Sequence, residues 1–156
     1  MRYAEDTNYW STTVHPATSE GEISALLEGF GASAIMKMSA VTPDGRYLWM
    51  IRFQIDGRSY QFRFTPLACR QPEKSYSFSG KRRMASEQAR YQMGRIALGM
   101  VKAVMTAAEA DPAALFGFLE LPGKTNSGGI PATAADLDVS GLMELVPGFL
   151  LLKEGE

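Results

Sequence analysis

His15 and Cys69 are the only histidine and the only cysteine in a chain of 156 residues, and this bounds the chemistry open to it. A zinc site draws most of its ligands from these two residue types, so no metal and no cofactor is expected. A serine or cysteine nucleophile needs a base that a third group orients. His15, set before Pro16 in a loop, has no marked partner. The stretch LPGKT (121–125) resembles the end of a phosphate-binding loop. That motif requires glycine at position 118, where Phe118 stands, and it must follow a strand, whereas a helix is predicted there. Asp136 and Asp138 lie in an acidic stretch where carboxylates solvate. The sequence reads as non-enzymatic.

What remains is arginine. The formal net charge is only −1, yet from Asp44 to Arg95 there are eleven Lys/Arg against four Asp/Glu, and the rest carries five against thirteen. An anionic partner responds to such local fields rather than to the total. Nine of the eleven are arginines: Arg46, Arg52, Arg58, Arg63, Arg70, Arg82, Arg83, Arg90 and Arg95. The planar guanidinium suits phosphate and stacks on bases, whereas lysine would serve as well for solubility alone. Tyr60, Tyr76, Phe78 and Tyr91 are interleaved with them, a mixture used to hold single-stranded nucleic acid.

A fold has to position these residues, and the periodicities supply one. Ser19 and Glu22 form a capping-box pattern. Ile23, Leu26, Leu27 and Phe30 follow as one apolar stripe, and Gly31 supplies a left-handed stop. Upstream, NYWSTTV (8–14) reads either as an edge strand or as an extended arm. Three strands follow: SAIMKMSAV to the turn Thr42-Pro43-Asp44-Gly45, then RYLWMIRFQI, Asp56-Gly57 and RSYQFRFT. Asp-Gly favours a two-residue hairpin turn, which sets Phe53 opposite Tyr60, Ile51 opposite Phe62 and Trp49 opposite Phe64 as the core face. The other face pairs Gln54 with Ser59, Arg52 with Gln61 and Met50 with Arg63. A bulge at its turn would alter the register of the first strand.

Residues 66–80 read as a polar loop, and a long helix is predicted from about Lys81 to Ala110. Ala85, Ala89, Met93, Ile96, Met100, Val104 and Ala107 mark its buried stripe. Arg83, Glu87, Arg90 and Gly94 fall opposite the stripe's centre in its first half, and its second half is apolar nearly all round. Asp111-Pro112 opens a short helix. The fold class is therefore α+β in the order α-β-β-β-α. A three-stranded antiparallel sheet, with NYWSTTV as a fourth strand if it pairs, is packed on one face by a short and a long helix. Residues 1–121 form this core, and 122–156 are a flexible linker followed by an apolar docking segment.

No apolar run reaches the ~20 residues that span a bilayer, and MRYAEDTNYW lacks the pattern of a signal peptide. With a single cysteine, this suits a cytoplasmic protein without a membrane partner. The stretch TTVHPATSEGEISALLEGFGASAIM, two strands and then ASEQARYQMGRIALGMVKAVM resemble a group of small uncharacterised phage and mobile-element proteins over residues 12–120. The resemblance implies a setting rather than an activity. The order helix–strand–strand–strand–helix is also similar to that of double-stranded-RNA-binding domains, whose second helix opens on a basic cluster. Lys81, Arg82 and Arg83 match that cluster, and Ala85 and Ala89 its packing alanines; the fifteen-residue loop before them is longer than in that family. Strand-annealing recombination proteins share the order alone. The expectation is single-stranded nucleic acid held by Arg52 and Arg63 on the sheet and by Lys81, Arg82, Arg83 and Arg90 at the helix start. The alternative is an oligomeric adaptor for an acidic protein, whose apolar C-terminus packs across subunits.

Overall fold

The computed structural model describes residues 2–41, 45–125 and 130–136. Its centre is the expected unit: helix α1 (Pro16–Gly29), strands β1 (Ser33–Val41), β2 (Tyr47–Ile55) and β3 (Arg58–Phe64), and helix α2 (Ala85–Ala110). The strands form one antiparallel sheet in the order β1-β2-β3. The β2–β3 register pairs Trp49 with Phe64, Ile51 with Phe62 and Phe53 with Tyr60, as expected. Asp56 and Gly57 have φ of +50° and +74°, positive at both turn positions as a type I′ hairpin requires. The β1 bulge falls between Ser33 and Met36, at the strand's start rather than at its turn. Met36 to Val41 pair regularly with Arg52 to Tyr47. Thr42-Pro43-Asp44 lie outside the described residues.

Alternation sends Trp49, Ile51, Phe53, Phe62 and Phe64 to one sheet face, where they meet Ile23 and Leu27 of α1 and Met93, Ala97, Val101 and Met105 of α2. Phe53, Phe62 and Phe64 stack in succession, with centroids 5.6 and 6.2 Å apart. The buried stripe of α2 runs Ala85, Ala89, Met93, Ala97, Val101, Met105. It keeps stepping by four where the sequence suggested Ile96, Met100 and Val104. Met100 is exposed. Gly94, expected to face away from the core, is buried where α2 meets α1; a Cβ there would lie 2.9 Å from Ser19 Cβ. Ser19 is itself buried inside α1 rather than capping it. The cap is His15, whose Nδ1 accepts from Ala17 N at 3.1 Å. Pro16 at the first helical position supplies the fixed φ that starts the helix one turn early.

Three further differences matter for function. Lys81, Arg82, Arg83 and Met84 are not helical: they form strand β5, paired with β4 (Ser75–Phe78) through the two-residue turn Ser79-Gly80. Both turn residues have positive φ, +49° and +83°. The region beyond the short 3₁₀ helix Pro112–Phe118, read as a linker from residue 122, contains strands β6 (Glu120–Thr125) and β7 (Pro131–Thr133). The apolar segment after Asp136 lies outside the described residues. Finally, NYWSTTV is an arm, not a strand. Two buried glutamines of α2 hold it: Gln88 Nε2 donates to the carbonyls of Trp10 and Thr12, both at 2.7 Å, and Gln92 Nε2 to those of Ala4, Thr7 and Asn8. Side-chain amides thus satisfy the carbonyls of an arm that has no strand partner.

Candidate nucleic-acid interface

The six arginines and lysines singled out in the sequence are divided by the fold between two places. Arg52 and Arg63 project from the polar face of β2 and β3, and the chain after the 3₁₀ helix returns to meet them. Leu119 bridges to Tyr60, so β6 begins alongside β3. Glu120 then reaches across Gln61 to Arg52. Arg52 Nε donates to Oε1 at 2.5 Å and Nη2 to Oε2 at 2.7 Å, a two-pronged pair, while Gln61 Nε2 donates to Oε1 at 3.2 Å. The Glu120 carboxylate lifts the Arg52 guanidinium still further above its ordinary pKa, against a smaller desolvation effect.

Arg63 is bound in a similar way. Its Nη2 donates to Asp136 Oδ1 at 2.6 Å and Thr133 Oγ1 at 3.1 Å, and Thr133 N donates to Asp136 Oδ2 at 2.8 Å. Burial pushes the Asp136 carboxyl up, but the hydrogen bonds from Arg63 and Thr133 outweigh it and hold the carboxyl below its ordinary value. Arg52 and Arg63 are therefore internal partners of an acidic strap rather than an open phosphate surface. The two sheet-face residues of the expected site are thus engaged with carboxylates of the same chain, and the described part of the stretch read as a linker includes strand β7 and Asp136, which carry part of the strap.

The other four lie at the β4–β5 hairpin and the start of α2. The Tyr76/Arg83 and Phe78/Lys81 pairs alternate with Ser75/Met84 and Ser77/Arg82. Trp10, placed by the arm, packs edge-on against Tyr76 and Phe78 at 5.7 and 5.5 Å. That seats one hairpin face on the protein and leaves Ser75, Ser77, Arg82 and Met84 exposed. Lys81 and Arg82 are both exposed, with no ion pair among the described residues. Lys74 lies 5.0 Å from the centroid of Tyr76.

Arg83 is different: it is buried, its Nη1 donates to Gln88 Oε1 at 3.2 Å, and its guanidinium lies 4.1 Å over the ring of Tyr91. Its contacts are internal, to Gln88 and Tyr91, unlike those of the exposed Lys81 and Arg82. Tyr91 in turn meets His15 edge-on at 5.4 Å. Arg90 is exposed, with its guanidinium 4.3 Å over Tyr47.

In this region the open cations are thus Lys74, Lys81, Arg82 and Arg90, and Glu87 is the one carboxylate between Lys74 and Arg90 in sequence. The sequence reading missed Lys74, Gln88, Gln92 and Tyr47; of these, Lys74 alone carried a signal, as a cation of the basic block two residues before Tyr76. Cys69 is half-buried, and burial followed by the charge of Glu5 pushes its thiol pKa up, away from the reactive thiolate. Among the described residues, no three His, Cys, Asp or Glu side chains gather in a metal-binding cluster, and no helix is long and apolar enough to cross a membrane. Comparison with protein-family models, curated proteins and solved structures finds no match.

Proposed function

We propose that this is a non-enzymatic nucleic-acid-binding protein, of the phage or mobile-element setting its sequence resembles, that takes single strands along the β4–β5 hairpin and the start of α2. The observation that carries the reading is the presence, at the β4–β5 hairpin and the start of α2, of four cations without ion pairs among the described residues. These are Lys74, Lys81, Arg82 and Arg90, interleaved with Tyr76, Tyr47 and Tyr91; Arg58 at the β2–β3 turn is exposed and unpaired too, but stands apart from them in sequence. Elsewhere the arginines Arg52, Arg63, Arg70 and Arg95 each hold a carboxylate. Exposed cations beside half-buried tyrosine rings suit a flexible strand, whose phosphates they pair and whose bases can stack where a ring edge or guanidinium is exposed. The twisted hairpin, about four residues a side, offers nothing that spans the two minor grooves a duplex-RNA reader needs.

Fluorescence anisotropy with labelled single- and double-stranded DNA and RNA across a salt series tests this. Three to four phosphate contacts on a single strand give a log–log slope of roughly −2 to −3, from about −0.7 per contact. The Arg82→Ala/Arg90→Ala variant should lose most of the binding and keep its melting temperature. Absence of binding to every nucleic acid at low salt would overturn the reading. It would leave the adaptor for an acidic protein, which one observation favours: β1 is a sheet edge with Met36, Met38 and Val41 exposed, open to a partner's strand.

A further inference from the structure

The three-stranded sheet has two edges, and the chain treats them differently. At β3 the returning chain bridges Tyr60 through Leu119. At the other edge, β1 pairs with β2 alone among the described residues. Edges are kept from pairing by shortness, charge, proline and bulges. β1 is nine residues long, with one charge, Lys37, and no proline. Its bulge is confined to the start, between Ser33 and Met36, and from Met36 to Val41 the register is regular.

Burial also stops at this strand. Residues directly opposite in an antiparallel pair share a sheet face. Lys37 and Ser39 stand beside Ile51 and Trp49 on the face that the helices cover, and Met36 and Met38 stand beside Arg52 and Met50 on the other. Trp49, Met50 and Ile51 are buried, yet all four of these β1 residues are exposed, and so is Val41. Apolar side chains therefore stand uncovered on both sides of an open backbone edge.

Geometry limits how a second copy can meet this edge. Along an antiparallel strand, alternate residues turn both N–H and C=O toward the same neighbour, so every second residue of β1 faces outward. Two copies related by a twofold axis must pair outward residues with outward residues, which puts the axis through a residue rather than between two. An axis at Lys37 opposes two ammonium groups, a destabilising pair. An axis at Ser39 sets Lys37 against Val41 and leaves Met36 beyond the regular pairing. An axis at Met38 sets Lys37 against the Ser39 hydroxyl, an acceptor, Met36 against Ala40, and Met38 against itself, all inside the regular stretch. A strand with one charge offers a charged partner a single contact, whereas its own copy matches it apolar to apolar. That self-complementarity selects the occupant.

We infer that β1 is the interface of a homodimer, in which the β1 strands of two copies pair antiparallel about Met38 and join two three-stranded sheets into one. The inference goes beyond the strand-binding reading and does not rest on it, because β1 carries none of the four cations at the hairpin and the start of α2.

Light scattering of the full chain at micromolar concentration should give twice 17.1 kDa. Met38→Lys, at an exposed position, should halve that mass with the circular dichroism unchanged. In a Cys69→Ser background, Met38→Cys should form an intermolecular disulfide under mild oxidation, and Ala40→Cys should not. The two copies of residue 40 lie about 13 Å apart, four residues at ~3.3 Å each, beyond the ~7 Å that a disulfide allows. This pair of variants decides the matter if Met38→Lys fails to fold. A single-chain mass for the unaltered protein overturns the inference; alternate β1 amides protected from exchange in that monomer would give the edge to another segment of the same chain. A dimer that survives Met38→Lys, or that cross-links as readily through residue 40, also overturns it, because the copies then meet elsewhere or in another register.

Discussion

The polar face of the sheet and the β4–β5 hairpin are built from the same material, arginine in one basic block of sequence, and they end in opposite states. On the sheet, Arg52 meets Glu120 and Arg63 meets Asp136 across sequence separations of 68 and 73 residues. On the hairpin and the start of α2, Lys81 and Arg82 have no such carboxylate among the described residues, and Arg83 and Arg90 rest on tyrosine rings instead. A cation over a ring keeps its charge available, whereas a two-pronged carboxylate pair cancels it. The charge block therefore divides into a structural half and an open half. What divides it is the acidic strap, not the arginines.

Removing the structural half should have the largest effect. Arg52→Ala strands the Glu120 carboxylate, which is only 8% exposed, with Gln61 as its remaining partner. Loss of one member of a buried pair costs ~3–5 kcal/mol, and the lower end applies because Arg52 is itself nearly a third exposed. About 3 kcal/mol corresponds to a fall of roughly 6–12 °C in melting temperature for a chain of this size. Glu120→Gln should cost clearly less, since the released guanidinium reaches solvent while the carboxylate cannot. Thermal melts of both variants measure the asymmetry; equal losses would mean that the pair acts only through packing.

That asymmetry could not be read in the sequence, and the reason is physical. The β2–β3 hairpin was legible because Asp56-Gly57 fixes the turn locally and alternation then fixes every pair. The arginine partners were not, because Glu120 sits in a predicted short helix and Asp136 in a stretch of Pro, Gly and Ala whose composition reads as linker, and their role comes from where the chain returns. The β4–β5 hairpin carried one local signal, Ser79-Gly80, but KRRM lacks the alternation of a strand and the alanines after it pull the helix start forward. Gln88 and Gln92 look like solvent-facing helix positions. They are buried because the arm brings carbonyls to them. His15 caps α1 in place of Ser19 because Pro16 presets the first turn, a preference that outweighs the Ser19–Glu22 pattern.

A smaller effect tests the strap by acid. Because the folded Asp136 carboxyl lies below its ordinary value, its contribution is fully present above the carboxylate value of the unfolded chain. It is lost as pH falls through the depressed folded value. Between pH 7 and 5 the strap should not respond. Below the ordinary carboxylate range, as pH falls through that depressed value, protection of the Thr133 amide relative to its intrinsic exchange rate should fall as its acceptor, Asp136 Oδ2, takes a proton. Asp136→Asn should show the same low protection at both ends of the range. Acid sensitivity that persists in that variant would show that Asp136 is not the group responsible.

The smallest effect on stability belongs to the open half, and there the comparison is sharpest. Arg82 is exposed on the outward face of β5, opposite Ser77, and holds no partner whose loss would be felt in the folded state. Arg82→Ala should change stability by no more than about 0.5 kcal/mol, the ordinary range for a surface site. If Arg82 neutralises one phosphate, the same change should lower the magnitude of the single-strand salt slope by about 0.7. The two arginines then trade places in the two assays: Arg52→Ala moves the melt and leaves the slope, and Arg82→Ala moves the slope and leaves the melt. A melt lowered by Arg82→Ala as far as by Arg52→Ala would erase the distinction, because the hairpin arginine would then have a structural partner of its own.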